Sequence, residues 1–255
     1  MEIVDAHVNI RYPEERLPEE RTLCPTFESR LAVLREAGVS RAVAYRNGSV
    51  EDATFEGLLE TNRRIAATCE ASGGMLIPGA MVQPALGEQA CQLLRLCREQ
   101  LGMRFVGEMF DHWLGFEWGT PEYWRTLECA LSLRMIPLIH CQDELLTELG
   151  ERFPEGRLMI AHLRGGADYE ERAEILSRHP NMYLVISGGE IALAGAIKYV
   201  VHVLGADRVI FGSDMGATDP FIAVHCVKRS GLSEEQQALV FAGNFWRLWR
   251  RTEGG

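Results

Sequence analysis

Eight short apolar runs recur along the chain, and segments of helical period lie between them. The runs are EIVDAHV (2–8), RAVAY (41–45), MLIPGAMV (75–82), RFVGEM (104–109), MIPLIH (135–140), RLMIAH (157–162), MYLVIS (182–187) and RVIFGSD (208–214). Each carries Val, Ile, Leu, Met or Ala on consecutive positions, which suits parallel strands buried on both faces. FESRLAVLREAG (27–38) sets Phe27, Leu31, Leu34 and Ala37 on one helical face and stops at Gly38. Further helical patterns cover 88–101, 121–133 (with Pro121 in the first turn) and 168–179 (with Asp168 as N-cap), and one or two closing helices cover 233–250. Strand and helix alternating eight times with right-handed crossovers predict a (β/α)8 TIM barrel. The 255 residues, 47% of them hydrophobic, fill one such barrel, so residues 1–255 read as a single domain. The rival α/β fold, an open doubly wound sheet, calls for a Gly-rich phosphate turn after the first strand. None follows Ile10; the stretch 11–26 is long, charged and broken by proline, as a loop over an active site would be.

The net charge is −10, without a Lys/Arg-rich run, which argues against nucleic acid and anionic membranes as partners. No stretch approaches the ~18 apolar residues of a membrane span, and the N-terminus does not resemble a secretion signal, so the expected location is cytoplasmic. The seven cysteines form no CxxC pair and read as free thiols. Cys69, Cys91, Cys97 and Cys129 fall in helical patterns as small core residues. Cys141 should point away from the barrel centre and pack, and the role of Cys24 in the first loop is open.

The polar residues concentrate where strands end. The first strand finishes on His7 and Asn9, the fourth contains Glu108, and the fifth, sixth and eighth finish on His140, His162 and Asp214. Active-site groups of a TIM barrel sit at the C-terminal ends of its strands. Alternation places residues 7 and 9 on one face, toward the barrel mouth. Singly, a terminal His can satisfy a neighbouring carbonyl, and Asp214 can cap the next helix. Glu108 is harder to explain as structure, because an ionised carboxylate in an apolar strand needs a cation or donors. Imidazoles and carboxylates together suit Zn²⁺ or, with more oxygen ligands, Mn²⁺. Such an ion polarises a carbonyl and brings a bound water to a pKa of about 7.

At these residues the chain resembles the amidohydrolase superfamily, in particular its amidohydrolase-related branch of metal-dependent barrels. VDAHVN resembles the opening I-D-x-H-x-H of that branch, with Asn9 in place of the last His. LIHC, IAHLRGG and FGSDMG resemble its strand-5 His, strand-6 His and strand-8 Asp, and AGNFWRLW its closing Asn-x-x-x-Leu. The resemblance implies that His7 and His140 bind one divalent ion, and that Asp214 binds it or accepts a proton from its water. His162 would be a second-metal ligand or a catalytic, substrate-orienting group. Glu108 stands where some relatives carry a bridging acid. Asn9 offers a weaker, neutral carboxamide ligand, for which Glu108 compensates in the set His7, Glu108, His140 and Asp214.

Arg46, after the second strand, and Arg164, after His162, are candidates for a substrate carboxylate or phosphate. Trp113, Phe116 and Trp118 in 111–119 form an aromatic loop that either walls a pocket or packs as a lid or subunit contact. Gly188 and Gly189 are expected to turn the chain into a helix starting near Glu190. The expected enzyme is a metal-dependent hydrolase of a small-molecule amide, ester or lactone, in which Asp214 takes a proton and His162 stabilises developing charge. A non-oxidative decarboxylase is the first alternative. A non-catalytic ligand-binding barrel, its metal lost with the second His, is the other. A homo-oligomer is compatible with either.

Overall fold

The computed structural model describes residues 1–22, 24–46, 52–164 and 168–253. All eight expected strands form, as β1 (Val4–Ile10), β2 (Arg41–Arg46), β3 (Leu76–Ala80), β4 (Phe105–Met109), β5 (Ile136–Ile139), β6 (Leu158–Ala161), β7 (Met182–Ile186) and β8 (Val209–Phe211). They pair in parallel in the order β1 to β8. Just past β8 the Asp214 amide donates to the His7 carbonyl (2.7 Å) and the Asn9 amide to the Met215 carbonyl (3.0 Å), which brings β1 against the end of β8. The architecture is a nearly closed (β/α)8 TIM barrel.

The helices are α1 (Phe27–Glu36), α2 (Phe55–Ala71), α3 (Glu88–Glu99), α4 (Asp111–Leu114), α5 (Pro121–Ser132), α6 (Leu146–Arg152), α7 (Tyr169–Ser177), α8 (Ala196–Leu204), α9 (Pro220–Lys228), α10 (Glu234–Ala238) and α11 (Asn244–Thr252). None is long and apolar enough to cross a membrane. Thr26 opens α1 with a reciprocal capping box to Ser29, which ends the 11–26 loop cleanly. The helix expected near Glu190 is a single 3₁₀ turn, and α8 starts only at Ala196. Asp168 occupies the N-cap position of α7 without a side-chain bond to it.

Two apolar layers result. Val4, Ala6, Val43, Phe105, Ile136, Leu138, Met159, Ala161, Val185 and Ile210 fill the barrel interior, where Phe245 and Leu248 of α11 join them as a plug. The opposite strand faces, Val8, Ile10, Val106, Met109, Ile139 and Ile160 among them, pack against the surrounding helices. Asn244 anchors the plug: its Nδ2 donates to the carbonyls of Ala206 (2.7 Å) and Val209 (2.8 Å), just before and at the start of β8. This gives the AGNFWRLW pattern a structural role.

Which residues face the mouth depends on irregularities in the strands. On β1, Val4 and Ala6 face inward but Val8 and Ile10 outward. The pairing of β1 with β2 slips between Asp5 and Val8, and that slip exchanges the faces, so His7 and Asn9 point inward above Ala6. On β4 the same happens between Val106 and Met109, and Glu108 turns inward above Phe105. Gly107 makes this possible. Its φ is 141°, and a Cβ there would lie 2.7 Å from the Leu138 carbonyl oxygen. On β5, β7 and β8 the alternation is regular, running through 136, 138 and 140, through 183, 185 and 187, and through 210, 212 and 214.

Candidate active site at the barrel mouth

His7 is fully buried, and its Nε2 lies 3.3 Å from Glu108 Oε2 and 3.6 Å from Asp214 Oδ1. The other carboxylate oxygen, Glu108 Oε1, lies 2.8 Å from His140 Nδ1 and 3.4 Å from His162 Nε2. The two histidines stand 3.2 Å apart, Nδ1 of His140 to Nε2 of His162. The five residues expected from the strand ends therefore converge, with Glu108 at the centre. Among the described residues, His7, Glu108 and His162 offer ligand atoms that all lie within 4.8 Å of one another. His140 joins this trio through Glu108 and His162.

Ser187, at the end of β7, holds two of the rings. The His162 Nδ1 donates to the Ser187 carbonyl (3.2 Å), since a carbonyl can only accept, and the Ser187 hydroxyl lies 3.1 Å from the Nδ1 of both His7 and His162. With Nδ1 held by Ser187, the His162 ring turns its Nε2 toward the cluster. Gly188 fits beneath that ring, since a Cβ there would come within 2.9 Å of His162 Nδ1 at a φ of 80°. Arg172 of α7 is fully buried, pairs with Asp143 and donates to the carbonyls of Ala161 (2.9 Å) and Cys141 (3.4 Å), directly beside His162 and His140. Asp5 is buried beneath His7, and its Oδ1 accepts from the His7 (3.0 Å) and Ser213 (2.9 Å) amides.

Two site residues hold left-handed backbone, His162 (φ 70°) and Asp214 (φ 58°). Non-glycine residues pay ~1–3 kcal/mol for such conformations, and these are found where the surroundings fix a functional geometry. The turn at His162 aims it inward although Ala161 before it also faces inward. Asp214 does not cap the next helix; Asp219 does, accepting from the Phe221 amide.

Burial alone would lower the His7 pKa, but the Glu108 carboxylate, and then Asp214 and Asp5, lift it to about 9. Burial pushes Glu108 up, and the charge of His7 together with hydrogen bonds to His140 and His162 overrides this and holds it well below the usual carboxylate range. Asp214 is raised by burial, only partly offset by His7 and His162. The cluster thus concentrates charge where water is scarce.

Asn9 Nδ2 donates to Asp214 Oδ1 (2.5 Å), which leaves Asn9 Oδ1 buried without a hydrogen-bond partner. The Nε2 of His7 is likewise buried without one. Two orphaned ligand atoms on residues that adjoin two carboxylates form a donor set that fits a divalent cation.

The cluster floors a cavity of about 430 Å³ lined also by Ile10, Arg11, Arg30, Arg46 and Phe110. Arg46 is at its wall as expected, but its guanidinium is already engaged by Glu15 through two bonds (2.8 and 3.1 Å). Arg164 does not line this cavity; it is exposed, with Asp168 3.7 Å away. The Trp113 side chain lies outside the described residues. Phe116 and Trp118 pack on Tyr123 of α5 rather than on the cavity, so this part of the aromatic loop serves the outer layer. The aromatic wall is Phe110, stacked on His140 with centroids 4.2 Å apart.

Sequence patterns pass over Ser187, Asp5, Arg11, Arg30 and Arg172. Ser187 and Asp5 had a usable signal, since both are polar residues on the alternation of a buried strand. Arg30 shares the apolar stripe of α1 with Phe27 and Leu34, where an arginine is out of place.

A barrel with such a cluster at its C-terminal rim defines the class, and the comparisons place the chain within it. Residues 4–251 match the family model Amidohydro_2, amidohydrolase, and the chain belongs to that enzyme family. No curated protein matches it. Its fold is similar to that of 2,6-dihydroxybenzoate decarboxylase from Rhizobium (14% identity, 98% of each chain, TM-score 0.74). It is also similar to a dihydroxybenzoic acid decarboxylase from a Polaromonas species, solved with manganese and 2-nitroresorcinol (14%, 99% of this chain and 98% of that one, 0.71). A third similar structure is a probable 2-pyrone-4,6-dicarboxylic acid hydrolase from Acinetobacter baumannii with citric acid bound (17%, 98% of this chain and all of that one, 0.69).

Proposed function

We propose that this protein is a metal-dependent hydrolase that directs water onto the amide, ester or lactone carbonyl of a small molecule. The observation that carries this reading is the pair of orphaned ligand atoms, Asn9 Oδ1 and the His7 Nε2 that lies 3.3 Å from Glu108 and 3.6 Å from Asp214, beneath a cavity lined by Asn9, Glu108 and Asp214. His7, Glu108, His140 and Asp214 would hold one divalent ion, Zn²⁺ or Mn²⁺, with Asn9 at the remaining corner. A bound ion supplies Lewis acidity there, polarising a carbonyl and acidifying water.

The chain's own groups supply the rest. Asp214, whose pKa burial raises, takes the proton of the attacking water, and Asn9 Nδ2 holds the carboxylate in place for this. His162, its Nδ1 held by the Ser187 carbonyl, turns Nε2 toward the cluster, where its protonated form would donate toward the developing negative charge. Arg172 and Ser187 keep both β5–β6 imidazoles oriented. The trio His7, Glu108 and His162 supports His162 as an alternative ligand to His140. The metal content of His140→Ala and His162→Ala chooses between them, the ligand variant being the one that loses the ion.

Non-oxidative decarboxylation is the second reading, favoured by the arginines on the cavity wall, which suit an acid substrate. The test is elemental analysis of the purified protein followed by product analysis on panels of lactones, amides and carboxylic acids. About one ion per chain and hydrolysis without carbon dioxide support the first reading. Carbon dioxide release replaces it with the second. A chain that takes up no metal while Asn9→His does would overturn both and leave a non-catalytic barrel.

A further inference from the structure

The cavity has two chemically distinct sides. Glu108, Asp214 and the histidines form one, and Arg11, Arg30 and Arg46 form the other. The chain has ten more acidic than basic residues, with 36 Asp and Glu against 26 Lys and Arg, so surplus carboxylates are plentiful. Glu15 takes Arg46. Neither Arg11 nor Arg30 has a carboxylate partner among the described residues. Arg30 is 6% exposed, its guanidinium makes one hydrogen bond among the described residues, from Nη1 to the Asn9 carbonyl (2.9 Å), and its Nε is buried without a partner. Burying an unneutralised guanidinium costs several kcal/mol unless something answers it. Arg11 and Arg46 both act electrostatically on Arg30, and so does Glu15, the carboxylate already bonded to Arg46, which places the three cations close together around a single acid.

We propose that Arg11 and Arg30 form an anion subsite, so that the substrate carries a carboxylate held away from the group that meets the His7–Glu108–Asp214 cluster. The favoured substrate is then a small acid with two separated acceptor groups, one for each side of the cavity. Arg30 comes from α1 rather than from a strand-end loop, and its bond to the Asn9 carbonyl ties the subsite to the cluster through β1. The proposal rests on the reading of the cluster as a metal site for the first group only; the subsite itself does not require it.

The probes are benzoate, with one carboxylate, and isophthalate, with two, titrated calorimetrically into metal-free and Mn²⁺-loaded protein. Metal-free protein should bind both with similar affinity through the arginines. Loading should tighten isophthalate about tenfold or more and benzoate by less. Arg11 makes no ion pair among the described residues, so Arg11→Gln should weaken every titration about tenfold, and Arg30→Gln should do the same while Arg30→Lys retains most of the affinity. Unchanged dissociation constants in Arg11→Gln and Arg30→Gln, or no binding of either probe, would overturn the subsite. Equal gains for both probes on loading would overturn the two-group substrate. If the protein takes up no Mn²⁺, the metal reading fails by itself, and the Arg11→Gln titration of metal-free protein still decides the subsite.

Discussion

The floor and the mouth of this barrel are built from the same strands and obey opposite rules. At the floor, Phe105 stacks on Phe245 of the plug helix (centroids 5.4 Å apart, 17° between planes), and the interior is apolar and closed. One to four residues further along the same strands, the interior consists of three imidazoles and two carboxylates, with orphaned polar atoms and left-handed backbone at His162 and Asp214. The floor gathers the favourable free energy of burying apolar surface. The mouth holds arrangements that an isolated barrel would not keep, and the rigid floor beneath restrains them. Stability and function are thus separated along the strand axis by a single layer of side chains.

The largest expected effect lies at the floor. Phe245→Ala removes the plug ring from a fully buried site and should cost about 3–5 kcal/mol of unfolding free energy, read by denaturant titration. Metal uptake measured below the unfolding transition should be unchanged. Loss of metal affinity in the still folded variant would mean the two regions are not separable. Next comes His140→Ala at the mouth. It should weaken metal binding about a hundredfold, roughly 2.7 kcal/mol, with a much smaller change in stability, because the side chain is partly open to the cavity. A large fall in stability with intact metal affinity would reverse the assignment of His140.

The floor was far more legible in the sequence than the mouth. All eight strands follow from their apolar runs, and His140 and Asp214 can be placed by counting alternate residues along β5 and β8 from the interior positions Ile136 and Ile210. The same counting fails on β1, β4 and β6. From Val4 or Phe105, alternation would send His7 and Glu108 to the outer layer; two slips of strand pairing bring them in, and at His162 a left-handed residue does. A slip depends on how one strand meets its neighbour, which no local pattern records. Arg30 escapes a sequence reading that finds Arg46, for a related reason. Arg46 advertises itself at a strand end but is already paired, whereas Arg30 hides on the buried stripe of a helix.

Asn9 sharpens the comparison at an intermediate scale. Its carboxamide does two jobs, donating to Asp214 through Nδ2 and leaving Oδ1 free. Asn9→His should tighten metal binding about tenfold, roughly 1.4 kcal/mol, since an imidazole is the stronger ligand. It also removes the donor that holds Asp214, so turnover should fall even as affinity rises. If affinity and turnover rise together, Asn9 is a weakened ligand only, and the positioning of Asp214 has another source.

The smallest effect is expected at Cys141, which adjoins His140 in sequence yet belongs to the outer layer. Its thiol is 2% exposed, and burial pushes its pKa up to about 12. A thiolate is the nucleophilic form, so at pH 8 this thiol is inert, and its neighbour Arg172 lowers the pKa too little to change that. Iodoacetamide should leave Cys141 unmodified in the folded protein, as read by peptide mass mapping. Cys141→Ala should keep kcat/KM within about twofold while costing ~1 kcal/mol of stability, the scale of a small buried side chain. The contrast with His140 is what gives this null result its force. Two adjacent residues on opposite faces of one strand end should divide cleanly, one moving metal affinity and the other only stability. A Cys141→Ala variant that loses turnover at unchanged stability would show that the face exchange seen on β1 and β4 has reached the end of β5 as well.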